Sequence, residues 1–359
     1  MKKKKVRQAN MELLRMVAMV GITLLHILYW SDAILLEDNA VTGLRMAGSV
    51  LESLCVPMVA VYVMISGYYD TCEEFRTGRI VRLLLEVWFY SAGIHAALLL
   101  GGRIPRGESI WELARYLFPV SMKHYWFVTA FVGMELLAPL LAAAVERVTK
   151  DTLKKILIGL LLYESIPKTI LPFQLTADQQ GYDFGFFVLV FLLAAWLRKY
   201  GAPTWLQTTG RRAALYLGSC AVIALVQIGA AILHSRTGSF SYLMNAPFHY
   251  NYLFALSASV GLFLWFQKLS VPEGRCADRI RKAAPLSFGV YLIQCHADLL
   301  PGWPQYLAGL TGVSAESTPA AVFFLFAVGS ALLVYILCSA VDALRRILFE
   351  GAEKLCRKK

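Results

Sequence analysis

Two ionisable side chains, Arg15 and His26, lie eleven residues apart within an apolar run from Met11 to Trp30. At ~100° per residue, an α-helix brings them to within ~20° of one face, ~16 Å apart along the axis. Ionisable groups inside a membrane span face a bundle interior or a water-filled cavity, and they mark functional sites. A lone intramembrane histidine is also often a packing residue bonded to a backbone carbonyl, but an arginine on the same face favours a site.

The chemistry that His26 suits is proton transfer. An imidazole with its ordinary pKa of ~6.5 can take a proton from a hydroxyl near neutral pH, so His26 is the candidate catalytic base. The apolar runs contain no GxSxG, HExxH or Walker A motif and no acidic cluster. The absence of these motifs disfavours phosphoryl-transfer and metal-dependent chemistry, and we expect no metal site.

A second basic face precedes the third apolar run. Arg79, Arg82 and Glu86 are spaced three and four residues apart, which places them on one face of a helix, and Arg76 comes just before them. Guanidinium groups there could grip the phosphates of a nucleotide-bearing donor bidentately, and Arg15 could extend this basic funnel inward. They could equally be interfacial arginines that extend to lipid headgroups, with Glu86 as the partner of Arg82.

Further polar and aromatic residues are candidates for the wall of such a site. A carboxylate at mid-membrane, Glu135, needs a proton or a cation such as Arg15. Interfacial aromatics also form belts in membrane proteins of every kind, and the polar residues of the ninth run could be a satisfied structural cluster. Glu52, in the second run, receives no role. The predicted wall residues are Tyr125, Trp126, Glu135, Tyr291 and His296.

The composition identifies the protein class. Of 359 residues, 58% are hydrophobic and 16% are charged, whereas soluble domains carry ~25% charged residues. The net charge of +11 does not indicate nucleic-acid binding, because the basic residues cluster in alternate loops, as the positive-inside rule describes. The seven cysteines show no CxxC spacing, so neither a disulfide framework nor a metal framework is expected.

The sequence predicts an all-α polytopic membrane protein with about ten transmembrane helices and both termini in the cytoplasm. The loops assigned to the cytoplasm hold 27 Lys and Arg, and the external loops hold 7. We expect a single membrane domain over residues 1–359, in which the first run is retained rather than cleaved as a signal peptide. The predicted spans are 11–30, 45–68, 80–100, 124–143, 153–170, 183–198, 212–233, 250–267, 284–300 and 319–344.

Six sequence blocks together resemble the acyltransferase-3 family of bacterial membrane O-acyltransferases. They are NMELLRMVAMVGITLLHIL (10–28), PMVAVYVMISGYY (57–69), RIVRLLLEVWFY (79–90), HYWFVTAFVGMELLAPLL (124–141), ASVGLFLWFQKL (258–269) and PLSFGVYLIQCH (285–296). The resemblance implies ten core helices, a donor that enters from the cytoplasm and a surface carbohydrate as the acceptor.

The same resemblance implies roles for particular residues. His26 matches the family's essential histidine and Arg15 the arginine before it, while Arg79 and Arg82 match the paired arginines at the donor mouth. The chain departs from the family pattern at Glu86, at Glu135 and at Gln294, which stands where relatives have histidine.

The expected function is transfer of an acyl group, most simply acetyl, from cytoplasmic acyl-CoA to a hydroxyl of an extracytoplasmic glycan or glycolipid. His26 would be the base or a transient acyl carrier, and no cofactor would be tightly bound. The expected partners are acetyl-CoA or another acyl-CoA, a surface or lipid-linked glycan and the lipid bilayer, with no nucleic acid. The expected location is the bacterial plasma membrane.

Two alternatives stay open. The membrane half of vancomycin-resistance serine racemases resembles the same family, so the chain could be a carrier for a small polar solute such as serine. That half is normally fused to a racemase domain, whose absence favours the enzyme. A catalytically dead scaffold is the other alternative, which the retained Arg15 and His26 disfavour. For the enzyme we expect a continuous cavity with a basic cytoplasmic mouth, a neck at Arg15 and a wider chamber at His26.

Overall fold

A computed structural model describes residues 7–69, 74–105, 109–300 and 302–356, with side chains through residue 351. Every regular element in these ranges is a helix, which confirms the all-α prediction. The lysines of the basic head at residues 2–5, Cys72, Arg106 and the side chains of the tail from residue 352 lie outside the described residues. The described cysteines Cys55, Cys220, Cys276, Cys295 and Cys338 are free thiols.

The described ranges contain sixteen α-helices. They are α1 (Ala9–Trp30), α2 (Gly43–Cys55), α3 (Pro57–Tyr69), α4 (Thr77–Leu100), α5 (Ile110–Leu117), α6 (Trp126–Arg147), α7 (Lys150–Glu164), α8 (Ile166–Ile170), α9 (Phe184–Tyr200), α10 (Thr209–Thr237), α11 (Ser241–Asn245), α12 (Leu253–Lys268), α13 (Arg275–Ala283), α14 (Ser287–Gln294), α15 (Trp303–Thr311) and α16 (Ala320–Cys356). Short 3-10 turns lie at Thr204–Leu206, Ala246–Phe248 and Ala284–Leu286.

Six helical units among the described residues are long and apolar enough to cross a membrane. They are α1, the joined α2 and α3, α4, α6, α10 and α16 as far as Gly351. The other four predicted spans contain α7, α9, α12 and α14, which have 15, 17, 16 and 8 residues. Since ~20 apolar residues cross a bilayer without help from neighbours, a count of ten spans stays a prediction.

Prolines explain where the predicted spans divide. Pro57 begins α3 immediately after the turn at Val56, and Pro167 lies in the first turn of α8. Proline has no N–H and disturbs the preceding turn, so a helix restarts at it with a changed direction. The Tyr216 hydroxyl donates to Leu54 O at 2.7 Å, and the Ser259 hydroxyl donates to Pro57 O at 2.9 Å. Neighbouring helices thus bond the carbonyls near the α2–α3 junction.

α1 lies at the centre of the bundle, in contact with α2, α3, α12, α14 and α16. Close backbone contact also joins α3 to α9, as is usual where lipid weakens the hydrophobic effect between helices. At Gly67, a Cβ would lie 2.6 Å from Phe191 O, so α3 and α9 touch through this glycine.

The bundle has two ends that we name by the direction of α1. At the basic end, α1 begins, α3 ends and α4 begins; the Tyr69 hydroxyl donates to Gln8 Oε1 at 2.7 Å there. At the loop end, α1 ends, α4 ends and α6 begins, and the short helices α5 and α15 lie in loops there. A buried ion pair between Lys168 Nζ and Asp178 Oδ2, at 2.8 Å, fixes the segment between α7 and α9.

Candidate active site

α1 places His26 in the wall of a cavity of about 690 Å³, which we call the His26 chamber. The chamber extends to the loop end, where Arg115 of α5 and Asn245 of α11 line it. Aromatic rings form much of its wall, among them Tyr29, Trp30, Tyr125, Trp126, Tyr250 and Tyr291. A largely apolar cavity of this size with a few polar groups is typical of a small-molecule site.

A thiol lies within hydrogen-bond distance of the His26 ring. Cys295, which follows α14, places its Sγ 3.9 Å from His26 Nδ1 and also lines the chamber. Gln294 is 2% exposed and donates from Nε2 to the Met19 sulfur at 3.4 Å. The thiol was not predicted, because Cys295 and His26 are 269 residues apart in sequence.

Three of the five predicted wall residues line the His26 chamber: Tyr125, Trp126 and Tyr291. The Tyr125 hydroxyl donates to Leu292 O at 2.9 Å, which ties the start of α6 to α14. The Trp126 ring stacks on Tyr250 with 5.4 Å between ring centroids and 19° between planes. These rings are held by contacts from several helices, so they give the chamber a fixed shape.

The other two predicted wall residues, His296 and Glu135, are absent from the chamber lining. His296 is fully buried; its Nε2 lies 3.0 Å from Ser91 O, and its Nδ1 accepts a hydrogen bond from the Asp298 N–H at 3.2 Å. The imidazole is thus engaged within the protein at the loop end and joins α14 to α4. Of the two alternatives left open for this residue, its contacts match the satisfied structural cluster.

Glu135 lies near the basic end, where its Oε1 is 3.0 Å from Arg79 Nη2. The suggested pairing of Glu135 with Arg15 is therefore corrected: Arg15 Nη1 lies 3.5 Å from Glu12 Oε2, one turn away on its own helix. The physical reason is the packing of the bundle, which brings Arg79 of α4 to Glu135 of α6 and leaves Arg15 beside Glu12 of its own helix. The ion pair therefore joins Arg79, which was predicted to bind the donor, to Glu135, which was predicted to be a wall residue.

The arginine face of α4 borders a second cavity of about 440 Å³, which we call the arginine pocket. Its lining is Gly78, Arg79, Arg82, Leu83, Glu86 and Phe288. The structure therefore brings Arg79 and Arg82 to one cavity at the basic end. Arg15 is absent from the linings of both this pocket and the His26 chamber.

The suggested pairing of Glu86 with Arg82 is also corrected. Glu86 Oε1 lies 2.9 Å from Arg345 Nη2, and Arg345 Nε donates to Asp342 Oδ1 at 2.7 Å. The predicted last span ended at residue 344, whereas α16 continues helical and carries Arg345 to the start of α4. The Tyr90 hydroxyl also donates to Asp342 Oδ1, at 2.9 Å, so this charged cluster fixes α4 against α16.

The expected continuous cavity is divided in this structure. Phe288, near the start of α14, lines both the His26 chamber and the arginine pocket and separates them. Tyr62 lines the chamber, and its hydroxyl donates to Arg15 O at 2.7 Å, so the Arg15 backbone lies just beyond this wall. Phe288 is thus a side chain that the walls of the two cavities share.

Several functional candidates in the chamber wall received no predicted role. Glu52 Oε2, His124 Nδ1, Gln227 Oε1 and His249 Nδ1 are buried atoms without a hydrogen-bond partner among the described residues. Buried polar atoms are normally paired, so unpaired ones in residues that line a cavity indicate a ligand or water there. The sequence offered only a weak indication of these residues, namely a carboxylate or an amide within an apolar run. Nothing in the sequence shows which cavity such a residue borders.

A protein-family model described as an acyltransferase domain, Acyl_transf_3, matches residues 8–339 of the chain. Because the match covers nearly the whole chain, the chain belongs to the acyltransferase-3 family, and its general activity is acyl transfer by a membrane protein. No curated protein and no solved structure matches the chain. The family resemblance seen in the six sequence blocks is thus confirmed.

Proposed function

We propose that this protein is a bacterial plasma-membrane O-acyltransferase with ten spans and cytoplasmic termini. It moves an acyl group, most simply acetyl, from cytoplasmic acyl-CoA to a hydroxyl of an extracytoplasmic glycan or glycolipid. The observation that carries the proposal is the relation of two cavities: His26 borders one, Arg79 and Arg82 border the other, and Phe288 separates them.

The basic end suits an anionic donor. Arg79 and Arg82 can hold the phosphates of coenzyme A by charge-assisted hydrogen bonds, and Arg15 lies on the same half of α1. A charged nucleotide cannot enter hydrocarbon, whereas its thin pantetheine arm can extend between helices. The bias of Lys and Arg towards this end supports its assignment to the cytoplasm.

The chemistry in the His26 chamber is a single acyl transfer. His26 takes the proton of the acceptor hydroxyl as its oxygen attacks the thioester carbonyl, and a C–O bond forms. The tetrahedral intermediate then collapses, the C–S bond breaks, and the coenzyme A thiolate takes the proton from His26. Every atom is accounted for by acyl-CoA and the hydroxyl, so the reaction requires no further cofactor.

A carrier is the second candidate, because two cavities separated by one side chain also suit alternating access. The two functions differ in what crosses the membrane. An acyltransferase passes only the acyl group to an acceptor, whereas a carrier moves a whole solute such as serine without changing it covalently.

The test uses purified protein in proteoliposomes, with [¹⁴C]acetyl-CoA on one side and isolated cell-surface polysaccharide on the other. We expect label on the polysaccharide with the wild-type protein and none with His26→Ala. Accumulation of [¹⁴C]serine in the vesicles, with no label on polysaccharide, would support the carrier and contradict the acyltransferase.

A further inference from the structure

Glu52 is a carboxylate on the α2 part of a membrane-spanning unit, and it lines the His26 chamber. Among the described residues it makes no ion pair, its side chain accepts no hydrogen bond, and Oε2 is buried without a partner. Two further intramembrane carboxylates behave differently, since Glu86 pairs with Arg345 and Glu135 pairs with Arg79. Burying an unpaired carboxyl group is costly, and an apolar residue would avoid that cost.

A second unpaired acceptor lies on the adjacent helix. Gln227 of α10 is 2% exposed and lines the same chamber. Its Nε2 donates to Leu35 O at 3.2 Å, which fixes the amide so that Oε1 is the free atom, and Oε1 has no partner. α2 and α10 pack against each other, so Glu52 and Gln227 belong to neighbouring parts of the chamber wall.

Oε1 of Gln227 accepts hydrogen bonds, and the Glu52 carboxyl group keeps an acceptor oxygen in either protonation state, so the missing partner must supply hydrogen-bond donors. A ligand with hydroxyl or ammonium donors would satisfy Oε2 of Glu52 and Oε1 of Gln227, whereas a ligand with acceptors alone would not. The remaining wall is largely aromatic, including Trp126 and Tyr250. A pyranose ring has both features, with donors around its edge and apolar C–H groups on its faces.

We propose that Glu52 and Gln227 form the acceptor subsite of the chamber and bind hydrogen-bond donors of a sugar unit. This inference rests on the proposed acyl transfer and adds the residues that hold the acceptor. Glu52 and Gln227 bind adjacent hydroxyls, or an ammonium group of an amino sugar, and so present another hydroxyl of the same unit to His26. The cost of the unpaired carboxyl group is offset when the acceptor is bound.

The experiment measures binding separately from turnover. Saturation-transfer NMR on the full protein in nanodiscs gives the affinity for three probes: methyl β-glucopyranoside, its permethylated derivative without donors, and methyl 2-amino-2-deoxy-β-glucopyranoside. We expect the wild-type protein to bind the first and third probes at least about tenfold more tightly than the permethylated one. Tighter binding of the amino glycoside would identify an ammonium as the partner of Glu52, and equal binding would identify hydroxyls.

Three variants locate the effect. Glu52→Leu and Gln227→Leu should each weaken glucoside binding about tenfold and leave the permethylated probe unchanged. Glu52→Gln keeps the shape and an acceptor oxygen, so it should retain glucoside binding and remove any advantage of the amino glycoside. Glu164→Gln changes a glutamate that is absent from the chamber lining, so it should bind every probe as the wild type does.

Three results would overturn the subsite. They are no binding of any probe by the wild-type protein, equal binding of the permethylated probe, or glucoside binding by both leucine variants at the wild-type level. A fourth result concerns the reaction alone: if the probes bind as expected but no acetyl group reaches a glycan from [¹⁴C]acetyl-CoA, the acyl-transfer proposal fails while the subsite stands.

Discussion

At the scale of single residues, His26 carries the proposed chemistry. His26→Ala removes the proton acceptor without introducing a buried charge, so we expect acyl transfer to fall by ~10²-fold or more while membrane insertion is unchanged. The measurement is [¹⁴C]acetyl transfer together with the amount of protein in membranes. His234→Ala, near the exposed end of α10, is the matched control. A His26→Ala variant with wild-type activity would remove His26 from the mechanism.

The thiol beside His26 gives a second prediction at this scale. Cys295 Sγ lies 3.9 Å from His26 Nδ1 in the chamber wall, so a group attached to this sulfur would occupy the reaction site. We expect a neutral methanethiosulfonate reagent to abolish acyl transfer in wild-type protein and in Cys276→Ser, which lacks the exposed thiol of α13. Cys295→Ala should be resistant, and an equally sensitive Cys295→Ala variant would place the reactive thiol elsewhere.

At the scale of helices, the ion pair of Arg79 with Glu135 joins α4 to α6 beside the arginine pocket. If Arg79 binds the donor, Glu135 competes with the phosphates for the guanidinium group. We therefore expect Glu135→Gln to lower the KM for acetyl-CoA about threefold and Arg79→Ala or Arg82→Ala to raise it about tenfold. Steady-state kinetics at fixed acceptor concentration give these values. If the KM for acetyl-CoA is unchanged in both arginine variants, Arg79 and Arg82 do not bind the donor and serve instead as interfacial anchors.

At the loop end, a buried histidine leads to a prediction about how the stability of the protein depends on pH. His124 precedes α6, and burial together with the nearby His296 and Arg115 lowers its pKa to about 3. Its Nε2 accepts a hydrogen bond from the Ala297 N–H at 3.4 Å, which protonation would break. Because the folded pKa lies below the ordinary value, the contribution to stability is complete above ~6.5 and is lost as pH falls towards 3.

The expected size at about pH 5 is ~2 kcal/mol for this histidine. Thermal unfolding of detergent-solubilised protein should therefore show a lower midpoint at about pH 5 than at about pH 7.5, and His124→Phe should reduce the difference. His249 should act in the same direction, since burial lowers its pKa to about 4. A midpoint difference that is the same in His124→Phe and in the wild type would contradict this account.

The positions of the helices were largely predictable from sequence, whereas the side-chain contacts between helices were not. Hydrophobic runs identified α1, α4, α6, α10 and α16, because each is long and apolar enough to span a membrane. The ion-pair partner of Glu86 is Arg345, 259 residues away, and no periodicity within one helix can indicate such a contact. The sequence suggested Arg82 for Glu86 and Arg15 for Glu135, and in both cases the contacts between helices bring a different arginine to the carboxylate.

At the scale of the whole molecule, the same division holds for the candidate site. The spacing of Arg15 and His26 indicated one site along α1, and the family confirmed the kind of activity. The chamber itself depends on residues from α2, α10 and the loop end, such as Glu52, Gln227 and Arg115, which only the assembled bundle brings together. The division of the cavity by Phe288 is a property of side-chain packing, so no sequence pattern indicated it.

In the proposed reaction, Phe288 therefore lies between the donor in the arginine pocket and the acceptor in the His26 chamber. Its ring lies near Tyr291 on the next turn of α14, with 6.4 Å between centroids. The Ser287 hydroxyl, 3.1 Å from the Tyr335 hydroxyl, holds α14 against α16. Rotation of a side chain is far faster than a typical turnover, so a rotation of Phe288 is fast enough to serve the proposed transfer.

Changing the size of this side chain should therefore change transfer without changing donor affinity. Phe288→Trp fills the space between the cavities, so we expect acyl transfer to fall by about tenfold with the KM for acetyl-CoA unchanged. Phe288→Ala joins the cavities and should increase acetyl-CoA hydrolysis in the absence of acceptor, because water then reaches the thioester. Release of free thiol and transfer of [¹⁴C]acetyl measure the two effects, and Phe254→Ala, whose ring is absent from both linings, is the control. If Phe288→Trp transfers acetyl at the wild-type rate, the acyl group reaches His26 by another path, and the relation of the two cavities no longer supports transfer across the membrane.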